Sequence, residues 1–389
     1  MSLQNSIDGL LGAAVEAGAV PGVVAAVTDA GGLIYEGGFG ERALGGGAAM
    51  TADTVVWIAS MTKAVTATAA MQLVEQGQLE LDAPAKAVIP YLGEVRVLEG
   101  FNDAGEPRTR APQGDITLRH LLTHTAGFSY EIWNGDIQRY QQATGTPMIT
   151  TCEDAALTTP LLFDPGTDWD YGINIDWAGK MVEAVSGQTL GAYLQDNVFG
   201  PLGMESTAFR ITEAMRARLA RIHQRGADDA FTVLDLEIPQ APEFEMGGGG
   251  LYSTMGDYAR FLRMILNKGA GEHARVLESG TVEMMSRNQM GETRVKALQT
   301  AAPDLSNDAE FFPGMPKTWG LSFMINTEPV PTGRSAGSLA WAGLANSYYW
   351  IDPARGIAGA YATQILPFVD KRALPLFFDF ETAVYNSLN

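Results

Sequence analysis

Cysteine and histidine are scarce in this sequence, and their scarcity argues against several kinds of chemistry. The 389 residues include one cysteine, Cys152, and four histidines. A single cysteine cannot form an internal disulfide, so we expect Cys152 to be a small packed side chain in a protein of the reducing cytoplasm. His120 and His124 have helical i, i+4 spacing but lack the H-E-x-x-H pattern of zinc enzymes. We therefore expect a structural histidine pair, with no bound metal and no cofactor.

Basic residues and long apolar runs are also few. The chain has 26 Lys and Arg against 45 Asp and Glu, a net charge of −19. Because an acidic surface repels nucleic acids and anionic membranes, we expect neither as a partner. No apolar run approaches the roughly 18 residues of a membrane span, and residues 1–23 lack the charge and apolar pattern of a signal peptide. A small neutral substrate remains compatible with this composition, and the sequence gives no indication of the oligomeric state.

The hydrophobic patterns predict strands near both chain ends and helices between them. Two strands are predicted at residues 20–27 and 33–39, and a buried helix at 60–77 ends at a suitable glycine cap, Gly77. Further strands are predicted at residues 319–325, 338–341, 347–351 and 357–362, and helices at 7–16, 176–185, 257–267 and 371–388. Residues 95–115 read as irregular. This order predicts one antiparallel sheet built from residues 1–85 plus 310–389, a mainly helical lobe formed by 86–309, and an active site between them.

The sharpest chemical pattern is Ser60-Met61-Thr62-Lys63 at the start of the buried helix. A serine hydroxyl is a poor nucleophile unless a base lies beside it. Lys63 is one helical turn from Ser60, and burial would favour its neutral, basic form. The N–H groups at a helix N-terminus also suit a developing oxyanion. The alternative is that Ser60 is a helix cap and Lys63 a solvated side chain, although the helix dipole disfavours a lysine there.

Two later segments could complete such a site. Tyr171 follows a Pro-Gly turn and precedes the helix predicted at 176–185. A tyrosine near a lysine ammonium would have a lowered pKa and could carry the serine proton, although a packed aromatic is the alternative. The second segment, residues 337–344, is a strand rich in small residues that could lie beside an acyl group and donate a backbone N–H. Its alternative is an ordinary core strand.

Two other patterns suggest different chemistry and are rejected. Residues 333–337 match G-x-S-x-G, the nucleophile elbow of α/β-hydrolases, around Ser335. An elbow needs a hydrophobic strand before it and a helix after it, whereas this segment follows a proline-rich stretch and precedes a strand. The glycine run at 247–250 lacks the Gly-Lys-Ser/Thr of a phosphate-binding loop. We expect these glycines to allow close backbone packing beside the active site.

Together, these segments resemble the serine β-lactamase and penicillin-binding-protein superfamily, most closely its family VIII carboxylesterases. Framework phrases at residues 118–128, 201–204 and 247–254 extend the resemblance over nearly the whole chain. It implies a mixed α/β (α+β) fold of the β-lactamase/DD-peptidase type, an antiparallel sheet flanked by helices. It also implies Ser60 as nucleophile, Lys63 as its base partner, Tyr171 as proton carrier, and an oxyanion hole formed by the N–H groups of Ser60 and Leu344.

Two departures favour esters over lactams. β-Lactamases have Tyr-x-Asn, whereas this chain has Tyr171-Gly172-Ile173-Asn174, and Trp341-Ala342-Gly343 replaces their Lys-Thr-Gly. The missing lysine normally holds a substrate carboxylate, and a tryptophan favours a neutral, apolar group. We therefore predict a carboxylesterase, with Trp341, Gly343 and Asn174 as substrate contacts. A β-lactamase, D-amino-peptidase or acyltransferase would use the same site, and a non-catalytic penicillin-binding sensor domain is a remote alternative.

Overall fold

The computed structural model describes residues 2–388, which form a mixed α/β structure. The strands are β1 (Gly22–Asp29), β2 (Leu33–Gly40), β3 (Val56–Trp57), β4 (Val97–Phe101), β5 (Pro107–Arg110), β6 (Ile222–Arg225), β7 (Phe231–Leu234), β8 (Tyr252–Ser253), β9 (Lys317–Trp319), β10 (Met324–Asn326), β11 (Leu339–Gly343), β12 (Ser347–Asp352), β13 (Ile357–Ala362) and β14 (Ile365–Leu366).

The helices occupy mainly the middle of the chain. They are α1 (Leu3–Glu16), α2 (Thr62–Glu75), α3 (Leu118–Thr123), α4 (Gly135–Thr144), α5 (Asn174–Ser186), α6 (Leu190–Leu194), α7 (Gly200–Leu202), α8 (Glu213–Arg216), α9 (Met255–Leu266), α10 (Ser279–Met285) and α11 (Ala373–Ser387). A π-helical segment, Gln195–Phe199, joins α6 to α7. Short 3₁₀ helices lie at Ala59–Met61, Ala85–Ala87, Pro90–Gly93, Ile149–Thr151 and Asp154–Leu157. No helix among residues 2–388 is long and apolar enough to cross a membrane.

Both ends of the chain build the main sheet, as predicted. Its seven strands lie in the order β2-β1-β13-β12-β11-β10-β9, and every neighbouring pair is antiparallel. Every residue of β11, β12 and β13 is buried, so the centre of the sheet is covered on both faces. Helix α9 contacts β1 and β13, while α1 packs against α11 and β2. The predicted fold class is therefore confirmed.

Helix α2 is the central helix predicted from its small and apolar residues. Its first twelve residues, 62–73, are all buried, and they include Ala64, Ala67, Ala69 and Ala70. Small side chains let neighbouring elements approach closely from every side, so this helix needs no polar face. Gly77 follows the helix with φ +68°, a left-handed value that suits the glycine cap. The helix positions Lys63 on its first turn, deep in the protein.

Two predictions about local structure are corrected. Residues 95–115 contain the hairpin β4–β5 in place of an irregular segment. The strand predicted at 319–325 is two short strands, β9 and β10, which pair with each other. Helix α9 falls in the range assigned to the helical lobe but packs against the sheet. The boundaries predicted at 85/86 and 309/310 otherwise remain a prediction.

Candidate active site

Ser60 lies in the short 3₁₀ helix between β3 and α2, at the mouth of the buried helix. This 3₁₀ helix contacts β11 and β12, so Ser60 is held between the sheet and α2. The preceding residue, Ala59, has φ +44°. A left-handed backbone costs a residue with a side chain roughly 1–2 kcal/mol, and such strained residues cluster at functional sites. The α-helix proper begins at Thr62, so the predicted helix start is two residues early.

Lys63 makes three hydrogen-bonding contacts that fix its amine beside the serine. The side-chain nitrogen is 3.1 Å from Ser60 Oγ, 3.0 Å from the Tyr130 hydroxyl and 2.5 Å from the Gly248 carbonyl oxygen. Lys63 is only 1% exposed, which excludes the alternative of a solvated side chain. A neutral amine at this position can donate to Gly248 and Tyr130 and still accept the serine proton.

Burial controls the charge of this lysine. Desolvation lowers the pKa of Lys63 from its ordinary 10.5 to about 7, although the carboxylate of Asp176 acts in the opposite direction. A pKa close to neutral leaves much of the amine unprotonated under physiological conditions, which is the state that a general base requires. Lys63 therefore has both the position and the proton affinity needed to activate Ser60.

Tyr171 is fully buried beside the Ser60–Lys63 pair. Its hydroxyl accepts a hydrogen bond from the indole N–H of Trp341 at 2.9 Å, and the Lys63 nitrogen lies 4.7 Å from the centre of its ring. Burial raises the pKa of Tyr171 above its ordinary value, and hydrogen bonds with Ser60 and Trp341 offset only part of that increase. The prediction of a lowered pKa is therefore wrong, because desolvation of the buried hydroxyl outweighs the hydrogen bonds that lower its pKa. Tyr171 keeps its proton and can serve as a proton donor.

Leu344 and Gly343 form the other side of the site at the end of β11. Leu344 lines the same pocket as Ser60, and its backbone N–H has no hydrogen-bond acceptor within residues 2–388. An unpaired N–H on the wall of the pocket that contains the nucleophile is compatible with an oxyanion hole, and the role of Leu344 stays a prediction. A Cβ added at Gly343 would lie 2.3 Å from both the Ile58 carbonyl oxygen and Ser347 Oγ. Glycine is thus required there for β11 to approach the 3₁₀ helix.

The pocket in front of Ser60 is mainly apolar. It encloses about 360 Å³, including space at its open mouth. Its walls come from the Ser60 segment, the loops after α3 and α4, the glycine run and the end of β11. The lining residues are Trp57, Ala59, Ser60, Tyr130, Ile132, Trp133, Ile149, Thr150, Met246, Gly248, Gly249 and Leu344. Apolar walls around a few convergent polar groups are typical of a small-molecule site.

The three residues predicted to contact substrate lie elsewhere. Asn174 is fully buried, and its amide nitrogen is 3.0 Å from His124 Nδ1 and donates to the Phe128 carbonyl at 3.3 Å. Trp341 is not among the residues that line the pocket, and its indole N–H donates to the Tyr171 hydroxyl. Gly343 provides close backbone packing, as described above. None of the three is among the residues that line the pocket at Ser60, and their contact with substrate stays a prediction.

Two residues that contribute to the site geometry were missed in the sequence, Tyr130 and Asp176. Tyr130 lies in no motif of the sequence analysis, yet its hydroxyl contacts Lys63. Asp176 was seen only as a helix start, although its Oδ1 accepts the N–H of Gly248 at 2.7 Å. The glycine run was the available signal, because consecutive glycines often mark a place where the backbone approaches other groups closely. Spacing alone does not reveal which groups these are.

The structure also argues against Ser335 and Cys152 as nucleophiles and against His120 and His124 as catalytic groups. Ser335 lies in the turn between β10 and β11, where its N–H donates to Asp352 at 2.9 Å and no helix follows. Cys152 is buried, and desolvation raises the pKa of its thiol to about 12, which makes a thiolate inaccessible. His120 belongs to the N-terminal capping box of α3 and His124 is its left-handed C-cap, so both are structural.

Comparison with known proteins identifies relatives over nearly the full chain. The beta-lactamase family model matches residues 7–382. Monacolin J acid methylbutanoyltransferase of Aspergillus terreus (strain NIH 2624 / FGSC A1156) is 34% identical over 392 residues, covering 96% of this chain and 93% of that protein. Lovastatin esterase of Penicillium rubens is 32% identical over 374 residues, covering 91% and 92%.

Solved structures show the same relationship. Simvastatin synthase from Aspergillus terreus, in its LovD6 mutant form, superimposes with a TM-score of 0.85 at 31% identity, covering 98% of this chain and 96% of that one. EstCE1, described as a hydrolase with promiscuous acyltransferase activity, gives a TM-score of 0.77 at 21% identity, covering 98% of each chain. The second likeness, at its lower identity, shows a shared fold only.

Proposed function

This chain belongs to the beta-lactamase family of serine hydrolases and acyltransferases, and we propose that it is a carboxylesterase that transfers the acyl group of a small neutral ester to Ser60. One observation carries the choice of an ester. The position at which β-lactamases place a lysine for the substrate carboxylate holds Trp341, whose N–H donates to Tyr171. An apolar pocket without that cation favours an uncharged acyl group.

The proposed acylation begins with proton transfer from Ser60 to the neutral amine of Lys63. Ser60 Oγ then forms a bond to the ester carbonyl carbon, and the carbonyl oxygen becomes an oxyanion facing the N–H groups of Ser60 and Leu344. As the tetrahedral intermediate collapses, the bond to the alcohol oxygen breaks. Tyr171, which retains its proton, donates it to the departing alkoxide and is reprotonated from Lys63.

Deacylation repeats these steps with water as nucleophile. Lys63, with Tyr171 as relay, accepts a proton from water, whose oxygen attacks the acyl carbon, and Ser60 leaves with a proton. Ser60 hydrogen-bonds with both Lys63 and Tyr171, so we infer that the protons move within one coupled unit.

A second proposed outcome is acyl transfer to an alcohol. It draws support from the relative at 34% identity, which is named a methylbutanoyltransferase, whereas another relative at 32% is named an esterase. Both outcomes share the same acyl-enzyme and differ only in whether water or an alcohol attacks it. The methylbutanoyltransferase name suggests a short branched acyl group as one of the substrates to test first.

The proposal is tested with p-nitrophenyl butyrate and nitrocefin, using wild type, Ser60→Ala, Lys63→Ala, Tyr171→Phe and Ser335→Ala. We expect ester turnover in wild type and in Ser335→Ala, and its loss in Ser60→Ala and Lys63→Ala. Fast nitrocefin turnover with negligible ester cleavage would contradict an esterase. A single stoichiometric burst without turnover would instead indicate a sensor domain.

Adding a primary alcohol to the same assay shows whether water or the alcohol accepts the acyl group from the acyl-enzyme. Hydrolysis yields only butyrate, whereas acyl transfer yields the butyrate ester of the added alcohol, and mass spectrometry distinguishes the two products. A product mixture dominated by the new ester at low alcohol concentration would make acyl transfer the main activity.

A further inference from the structure

A buried carboxylate that the reaction scheme does not use lies behind Lys63. Asp176, in the first turn of α5, is 1% exposed and no arginine or lysine pairs with it at contact distance within residues 2–388. Among the other deeply buried carboxylates, Asp370 and Glu381 each pair with an arginine, whereas Asp352 accepts backbone N–H groups and the Tyr385 hydroxyl. A buried carboxylate without a cationic partner is costly to maintain, so its presence calls for a reason.

One backbone residue joins this carboxylate to the catalytic lysine. Asp176 Oδ1 accepts the N–H of Gly248 at 2.7 Å, and the carbonyl of the same Gly248 accepts from Lys63 at 2.5 Å. The approach leaves no room for a side chain, because a Cβ at Gly248 would lie 2.4 Å from Asp176 Oδ2. The Tyr130 hydroxyl, which contacts Lys63, is a second hydrogen-bond partner of this carboxylate. Gly248 therefore lets the backbone of the glycine run contact both the Asp176 carboxylate and the Lys63 amine.

We propose that Asp176 is the positioning residue of this site: its carboxylate holds Gly248, Gly248 holds Lys63, and its negative charge sets the proton balance of that lysine. This inference rests on the role proposed above for the Ser60–Lys63 pair. Asp176 is not among the residues that line the pocket, so it acts on the reaction through Lys63.

The electrostatics of the surrounding groups agree with this role. The Asp176 charge raises the pKa of Lys63 against the larger effect of desolvation, and burial raises the pKa of Asp176 itself to about 6. Both groups are buried among few other titratable side chains. Those that influence Lys63 or Asp176 electrostatically or by contact are Ser60, His124, Tyr130, Glu131, Cys152 and Tyr171.

The test separates charge from position with Asp176→Asn. The asparagine oxygen can still accept the Gly248 N–H, but the negative charge is lost. The readout is the rate constant with which a fluorophosphonate labels Ser60 between pH 5 and 10, which reports serine activation without requiring turnover. In wild type, labelling rises with pH as Lys63 loses its proton, with a midpoint near the lysine pKa of about 7.

Without the carboxylate charge, the neutral amine is favoured, so we expect the midpoint in Asp176→Asn to fall by about one pH unit or more. The matched control is Asp257→Asn, which neutralises another largely buried carboxylate whose partners, Ser206 and Thr207, lie outside the site. Its midpoint should equal that of wild type. An Asp176→Asn midpoint that is unchanged or higher overturns the inference.

A second variant keeps the proposal testable if Asp176→Asn does not fold. Gly248→Ala retains the charge but forces the carboxylate away from the backbone, and we expect labelling at pH 8 to slow by about tenfold. Labelling at the wild-type rate would overturn the inference. If the fluorophosphonate does not label Ser60 in wild type, the proposed function fails and this inference fails with it. If wild type is labelled but Asp176→Asn has the wild-type pH midpoint, only this inference is overturned.

Discussion

The indole N–H of Trp341 donates to the hydroxyl of Tyr171 at 2.9 Å, and both side chains are buried. A Tyr171 hydroxyl that accepts this bond directs its own proton elsewhere, and Ser60 is its other side-chain partner. Trp341 therefore fixes the proton donor in orientation, and its position explains how an active site can be complete without the lysine of β-lactamases.

Replacing this donor should slow the reaction more than it weakens the fold. In Trp341→Phe, Tyr171 loses one hydrogen bond of roughly 1.4 kcal/mol, so we expect kcat to fall by about tenfold. The measurement is kcat for p-nitrophenyl butyrate together with the thermal midpoint. The matched control is Trp319→Phe, because the indole N–H of Trp319 is buried without a partner. Equal losses of kcat in the two variants would contradict the role of the bond.

The pH dependence of wild type should report the buried lysine. Desolvation lowers the pKa of Lys63 to about 7, and the base acts only when neutral. We therefore expect kcat/KM to rise with pH through an apparent pKa near 7 that belongs to the Lys63–Asp176 pair. A steady-state profile from pH 5 to 9 checks this, and a limb that falls with rising pH across that midpoint would contradict it.

The sequence predicted the parts of the structure that have strong periodicity or a local motif. Strand β13 is apolar over its whole length, helix α2 is rich in small and apolar residues, and the Ser60–Lys63 spacing corresponds to one helical turn. Contacts between distant segments could not be derived from spacing. Asp176 is 113 residues after Lys63 in the numbering, and Gly248, which hydrogen-bonds both residues, links them in the folded chain. The direction of the Tyr171 pKa was missed for a similar reason, because burial is a property of the folded chain.

Gly343 is expected to be intolerant of any side chain. In Gly343→Ala, the added Cβ meets the Ile58 carbonyl oxygen at 2.3 Å, so β11 must move away from Ser60 and carry Leu344 with it. We expect a lower thermal midpoint and a kcat reduced by more than about tenfold. The control is Gly280→Ala in α10, where nothing lies within 4 Å of the added Cβ. That variant should be about 0.5–1 kcal/mol more stable, with kcat unaltered. Wild-type kcat in Gly343→Ala would refute the packing argument.

The apolar wall should determine the length of the acyl group. Ile149 is buried and lines the pocket, so Ile149→Ala enlarges it by the volume of the lost methyl and methylene groups. We expect kcat/KM for a p-nitrophenyl hexanoate to rise by at least about threefold relative to the butyrate. The control is Ile137→Ala, which removes the same groups from a buried isoleucine of α4 outside the pocket. If both variants leave the hexanoate/butyrate ratio at its wild-type value, the wall does not select the acyl chain.

Formation of an acyl-enzyme on Ser60 is the central claim, and intact-protein mass spectrometry after rapid acid quenching tests it most directly. During turnover of p-nitrophenyl butyrate, we predict a mass increase of one butyryl group in wild type, located by peptide mapping to the segment that contains Ser60. Ser335→Ala should acquire the same mass, and Ser60→Ala should acquire none. Butyrylation at another residue, or continued turnover by Ser60→Ala, would contradict the account.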